Sequence, residues 1–240
     1  MAGRRVVGAT ALSAVPEGLV RPASEPTGHI LPVLPELSEL LPSRGLRRGS
    51  TISVAPDPAR RGSSSLVLAL LAEASRAGAW CAVVGVPTFG AVAAAELGIA
   101  LDRLALVPRP GPEWATVVAA LIDGVDVVVA AVPPALTASV AARLAARARQ
   151  RGAVLIPYGA WEGADVTLRV VRSTWEGLGQ GRGRLRRREL TISACGRGAA
   201  ARPRQVRIWL PGDEATRVVA GPTPRRVARR PSLRLVGDAA

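Results

Sequence analysis

A short β-like run at 51–55 (TISVA) leads into the loop PDPARRG at 56–62. Three consecutive hydroxyls follow, Ser63, Ser64 and Ser65, and they open the apolar helix LVLALLAEASRAG. A strand, a glycine-containing loop and a buried helix that begins at hydroxyl residues can hold a phosphate. The free N–H groups of the first helical turn point at the anion, and the helix dipole favours it. Phosphoryl transfer at such a site needs three further groups: a cation on the β- and γ-phosphates, a group that orients water, and an acid that positions magnesium. The cation is ordinarily a lysine, and this chain has none, because all 32 residues of its Lys+Arg count are arginines. Arg60 and Arg61 are the basic groups that the loop itself carries.

Other chemistries are narrowed by residue counts. His29 is the single histidine, so a multi-histidine metal site or a Ser-His-Asp triad is nearly excluded. Cys81 and Cys195 are isolated, with no paired spacing for zinc. Cys81 stands in an apolar run and reads as a small buried hydrophobe. No metal and no cofactor is expected. The segment 1–20 is interrupted by Pro16 and Glu17 and makes a poor signal peptide. No run of about 18 uninterrupted apolar residues offers a membrane span. The expectation is a cytoplasmic protein with reduced thiols and no membrane partner.

The elements that would position the loop alternate along the chain. Continuous apolar strand-like runs occur at 80–85 (WCAVVG), 103–107, 125–132 (VDVVVAAV) and 153–158 (AVLIPY). Helical patterns lie between them at 90–98, 113–123 and 134–151. A further short helix is expected from Pro35, with Leu37, Leu40 and Leu41 on its apolar face and Pro42 as its stop. Val-rich strands alternating with helices imply an α/β fold whose mostly parallel sheet is covered on both faces. After residue 160 the texture changes. Segments 164–175 and 184–195 alternate around EGLGQGRG and read as an antiparallel hairpin, and QVRIWL at 205–210 adds a strand. The expected organisation is a flexible N-terminal arm at 1–28 and one domain at 29–210. That domain divides into an α/β core at 29–160 and an antiparallel extension at 161–210. An Arg/Pro-rich disordered tail follows at 211–240. At 48% hydrophobic but 3% aromatic, the core must be built from Ala, Val and Leu.

The run GLRRGSTISVAPDPARRGSSSLVLALLAEASRAGAWCAVVGV resembles the core of RecA-type recombinases, and the likeness continues through LGIALDRLALVPRPGPEWATVVAALIDGVDVVVAAVPPAL. It runs from about residue 31 to residue 210. The resemblance implies a RecA-like sheet and locates three departures. Gly62 stands at the family's loop glycine, Ser63 at its lysine and Ser64 at its magnesium-binding hydroxyl, while Ala55 replaces the first glycine. Pro87 falls where the family has a general-base glutamate, and Ala131 where it has an acid at the end of the magnesium-associated strand. Phosphate neutralisation, water activation and metal positioning are all absent, so the expectation is a degenerate phosphate loop on a protein that is not an enzyme. Asp126 is acidic but begins its strand, at the wrong end for the site.

A short, catalytically blank RecA relative resembles the ImuA-type accessory proteins of bacterial mutagenesis cassettes, and most of all their actinobacterial form. That resemblance implies a DNA-damage-inducible adaptor in SOS mutagenesis and translesion synthesis. Its partner would be an ImuB-type Y-family polymerase homologue. An error-prone C-family polymerase α-subunit, a RecA filament and DNA would be further partners. Two alternatives stay open: a SulA-like inhibitor of cell division, and an ATP-independent DNA-binding protein.

The net charge of +14 calls for an acidic partner, nucleic acid or protein. Arg182, Arg184, Arg186, Arg187 and Arg188 crowd the hairpin, where Arg184, Arg186 and Arg188 would share a strand face. Such a stripe could contact phosphates or could simply protect a sheet edge. Arg225, Arg226, Arg229 and Arg230 form a second cluster in the tail. Arg143, Arg147 and Arg151, spaced by four, make one basic helix face. Trp161 and Trp175 flank the passage into the hairpin and are the aromatic residues best placed for exposure.

Overall fold

The computed structural model describes residues 28–57, 62–179 and 182–211, with the backbone alone at 178, 179, 182–184 and 199. The arm at 1–27, the loop residues Arg60 and Arg61, and the tail with Arg225, Arg226, Arg229 and Arg230 lie outside the described residues. In chain order the strands are β1 (Ile30–Leu31), β2 (Leu46–Arg47), β3 (Ile52–Ala55), β4 (Cys81–Val84), β5 (Leu104–Val107), β6 (Val127–Ala131), β7 (Val154–Tyr158), β8 (Val166–Gly179), β9 (Arg182–Gly196) and β10 (Arg204–Leu210). The helices are α1 (Pro35–Ser38), α2 (Ser63–Arg76), α3 (Ala91–Glu96), α4 (Trp114–Gly124) and α5 (Ala138–Arg151).

Eight strands form one sheet in the order β10-β9-β8-β3-β7-β6-β4-β5, while β1 and β2 pair separately. From β8 to β5 every pairing is parallel, and β9 and β10 run antiparallel. This is the architecture that the RecA resemblance implies, a mostly parallel sheet flanked by helices and continued by antiparallel strands. The extension is continuous with the core sheet, because β8 pairs in parallel with β3 from Ile52↔Val166 to Ala55↔Arg169.

Strand alternation sorts the core into two layers. Val83, Val127, Val129 and Ile156 face α2, whose Leu66, Leu70 and Leu71 are fully buried. Ala82, Val84, Val128 and Ala130 face Val118 and Ile122 of α4 and Leu144 and Ala148 of α5. Each buried leucine contributes about 2 kcal/mol in hydrophobic transfer, so α2 is held by burial on nearly every side. Helix α5 begins four residues later than its Ala/Arg pattern predicts. Pro133 and Pro134 precede it, and the Thr137 side chain accepts a hydrogen bond from the Val140 N–H at 3.4 Å. Helix α1 closes after one turn at Glu39, before Pro42, yet Leu37, Leu40 and Leu41 are buried as their spacing predicts.

On the side opposite α2, helices α4 and α5 pack on β4, β6 and β7. Beyond β3, the face opposite α2 carries Thr167, Arg169, Arg172, Arg187, Thr191, Ser193, Arg207 and Trp209, which the register aligns across β8, β9 and β10. The hydrophobic side of the same strands (Leu168, Val170, Leu190, Ile192, Ile208) packs under α2. An antiparallel sheet with one solvated face produces this alternation.

Candidate functional site

The start of α2 is where a phosphate would sit, and the hairpin closes against it. Gly62 has φ +140°, and a Cβ there would meet Leu190 Cδ2 at 2.8 Å, Val170 Cγ1 at 3.3 Å and Arg188 Nη2 at 3.4 Å. Ser63, at the position of the family's lysine, is 5% exposed. Ser64 is exposed, and Ser65 is half-buried. Arg188 reaches over from β9. Its Nη1 donates to Ser65 Oγ at 3.1 Å, its Nε donates to Ser173 Oγ at 2.8 Å, and its guanidinium lies 5.0 Å from the centroid of the Trp175 ring. Burial lowers the pKa of this guanidinium. The registers Trp175↔Arg188 and Leu210↔Arg188 place it centrally on the face that packs toward α2.

The other two positions of the site follow from the strand ends. Pro87 is exposed in the turn after β4 and has no backbone N–H to offer. Ala131 ends β6 beside Gly85, where φ is +74° and a Cβ would stand 3.1 Å from the Ala131 methyl. The strand ends that would hold water and metal therefore present a pyrrolidine ring and a methyl group. Among the described residues no three His, Cys, Asp or Glu side chains gather where they could hold a metal ion. A cavity of about 770 Å³ opens at the ends of β3 and β8 on the other face, with Asp57, Glu162 and Arg169 on its walls. Its two carboxylates oppose a bound phosphate.

The structure separates the basic residues that the sequence groups together. Arg188 is folded inward, Arg186 is exposed, and Arg187 lies opposite Glu176 on the other face. A register shift between Glu176 and Leu178 breaks the strict alternation that would align residues 184, 186 and 188. The side chains of Arg182 and Arg184 lie outside the described residues. On α5, Arg147 and Arg151 both pair with Asp123, whose pKa is lowered first by the Arg147 hydrogen bond, with the Arg147 and Arg151 charges lowering it further. Trp175 is 46% exposed, whereas Trp161 is half-buried against the α4–α5 layer.

Asp126 has a structural place at the opposite end of the sheet. It is 6% exposed, accepts from Arg48 Nη1 at 2.7 Å and from the Trp80 N–H at 2.9 Å, and ties the starts of β4 and β6 together. Nothing local in the sequence pairs it with Arg48. Cys81 is buried as its apolar run implies, and burial pushes its thiol up to about 12, with the Asp126 charge adding to the rise.

A family model described as the MT3502 N-terminal domain matches residues 39–163. The chain belongs to the MT3502 N-terminal domain family. The matched segment holds the α2 start, Pro87 and Ala131, and it ends before β8, so the hairpin that closes on the MT3502-type core lies outside it. The protein Rv3395c of Mycobacterium tuberculosis is 41% identical over 109 residues, which is 45% of this chain and 53% of that protein. The match thus spans about half the length of this curated relative. Among solved structures, the flagellar accessory protein FlaH from Methanocaldococcus jannaschii aligns with a TM-score of 0.49 and 12% identity, over 75% of this chain and 93% of that one. No helix among the described residues is long and apolar enough to cross a membrane.

Proposed function

We propose that this chain is a non-catalytic, RecA-like adaptor in DNA-damage-induced mutagenesis and translesion synthesis. It binds an ImuB-type Y-family polymerase homologue and supports an error-prone C-family polymerase. The observation that supports the non-catalytic half is what stands at the α2 start and after the neighbouring strands. Leu190, Val170 and Arg188 crowd the Cβ side of Gly62, Ser63 is buried, Pro87 lies in the turn after β4, and Ala131 ends β6. Binding is then the work left to the fold. The partner half rests on the sequence resemblance to ImuA-type accessory proteins.

Two experiments test this reading. The purified chain is expected to hydrolyse ATP no faster than its buffer, with or without DNA. Turnover that disappears on Ser64→Ala or Arg188→Ala would overturn the non-catalytic reading. Deletion of the gene is expected to lower damage-induced mutation frequency, and the chain should co-purify with the ImuB-type protein encoded in the same genome. An unchanged mutation frequency would defeat the adaptor reading.

One observation favours a second reading, ATP-independent DNA binding. The sheet face opposite α2 carries Arg169, Arg172, Arg187 and Arg207 against the two carboxylates of Glu176 and Glu189, together with Trp209, which is 38% exposed. Four phosphate contacts to a single strand give a slope of roughly −3 in log K against log salt. Affinity for an oligonucleotide that shows no salt dependence removes this reading.

A further inference from the structure

A groove of about 520 Å³ runs between α2, α3 and the β8–β9 hairpin. Its floor is aliphatic, made by Leu68, Leu97 and Leu210, each less than a tenth exposed. Its rim exposes two large apolar side chains, Trp175 at 46% and Leu185 at 49%. Two cations stand beside them. Arg186 is exposed and has no side-chain partner among the described residues. Among the described residues Arg188 has only hydroxyls and the Trp175 ring as partners, with no carboxylate within salt-bridge reach. An apolar floor, a half-exposed aromatic rim and two cations with no ion-pair partner among the described residues, against the single wall carboxylate of Glu96, together fit an amphipathic, acidic occupant.

Charge decides between the candidate occupants. A second copy of the chain brings a net charge of +14. The chain's own segment 212–240 carries six arginines against three carboxylates. A nucleic acid strand would need the Trp175 ring for base stacking, and the Arg188 guanidinium already covers a face of that ring. We infer that this groove receives an acidic segment of a protein partner. One aliphatic or aromatic side chain of that segment enters between Leu68 and Leu97, and a carboxylate pairs with Arg186 and Arg188. The inference rests on the adaptor reading above and names the surface that reading requires. The fold would then dock its partner beside the start of α2, on the hairpin that packs against Gly62.

The test uses the full chain and the purified full-length ImuB-type protein of the same genome, with affinity read by biolayer interferometry. Arg186→Glu and Leu185→Asp are each expected to weaken binding about tenfold or more, since each places repulsion or a bare charge in the contact. Arg172→Glu reverses a charge on the opposite face of the same hairpin and is expected to leave binding within about twofold. Thermal melting verifies that all three variants fold. A wild-type chain that binds the partner while the groove variants bind it equally well overturns the groove and leaves the adaptor reading standing. A wild-type chain that does not bind the partner removes the adaptor reading and this inference with it. Three further outcomes, each abolished by Arg186→Glu, reassign the groove: displacement of the partner by oligo(dT) to nucleic acid, self-association to a second copy, and protection of 212–240 from trypsin to the chain's own tail.

Discussion

Replacing Gly62 by alanine tests whether the hairpin closes the start of α2. The perturbation has two parts. At φ +140° and ψ −7° the backbone is in a region that only glycine occupies readily, which costs an L-residue about 1–3 kcal/mol. The new Cβ would also stand 2.8 Å from Leu190 Cδ2 and 3.3 Å from Val170 Cγ1. A leucine methyl can move, but Leu190 is fully buried, so it moves only into packed core, at about 1 kcal/mol or slightly more. The expected loss is about 2–4 kcal/mol, or a fall in Tm of about 5–15 °C for a chain of this size. Gly152→Ala is the comparator. Gly152 also has positive φ, +68°, but nothing lies within 4 Å of its added Cβ, so it should lose only the backbone share of about 1 kcal/mol. Urea unfolding of the three proteins measures both losses. Equal losses for the two variants would mean that the loop and hairpin are not in contact, and the closed-site reasoning would fail.

Asp126→Ala leaves Arg48 without its carboxylate in a mostly buried setting and orphans the Trp80 N–H, so urea unfolding should show a loss of about 3 kcal/mol, while a loss near zero would remove its structural place. Thiol titration of the native chain at pH 8 should find Cys195 reacting fast and Cys81 reacting only after unfolding, because Cys81 is buried with its thiol raised to about 12. Two fast equivalents in the native chain would contradict that burial. The lowered pKa of Asp123 means that its pairing with Arg147 and Arg151 contributes fully above the unfolded carboxylate value of 3.8 and is lost as pH falls through the folded value. Asp123→Asn should therefore match the wild type in Tm at the lowest pH and fall behind it near neutrality; a constant gap across pH would refute the assignment.

The helices and strands of the α/β core are legible in the chain because burial on both faces writes them as continuous apolar runs. Segments such as CAVV, VVVAA and LVLALLA need no partner information to be placed. The α5 boundary is less legible, since the Ala/Arg pattern continues through residues that Thr137 and two prolines keep outside the helix. The expected departures from a RecA-type site come from residue identities set against that resemblance: Ser63 at its lysine, Pro87 and Ala131 at its acids.

Where the remaining charges went was decided only by tertiary structure. Arg48 finds Asp126 across 78 positions, and Arg188 finds Ser65 across 123. Local periodicity carries no record of such distant pairings, which arise when the sheet brings separate strands side by side. The same holds for the hairpin. Alternation identifies its strands, but a bulge rotates side chains locally, and the parallel pairing of β8 with β3 is what swings β9 over the start of α2. The sequence by itself determined the residue types on which the RecA-type resemblance turns, Ser63, Pro87 and Ala131, because a residue's identity does not depend on its packing. The structure decided that Leu190, Val170 and Arg188 pack around Gly62 and that an apolar, basic groove opens beside it, because packing depends on which strands become neighbours.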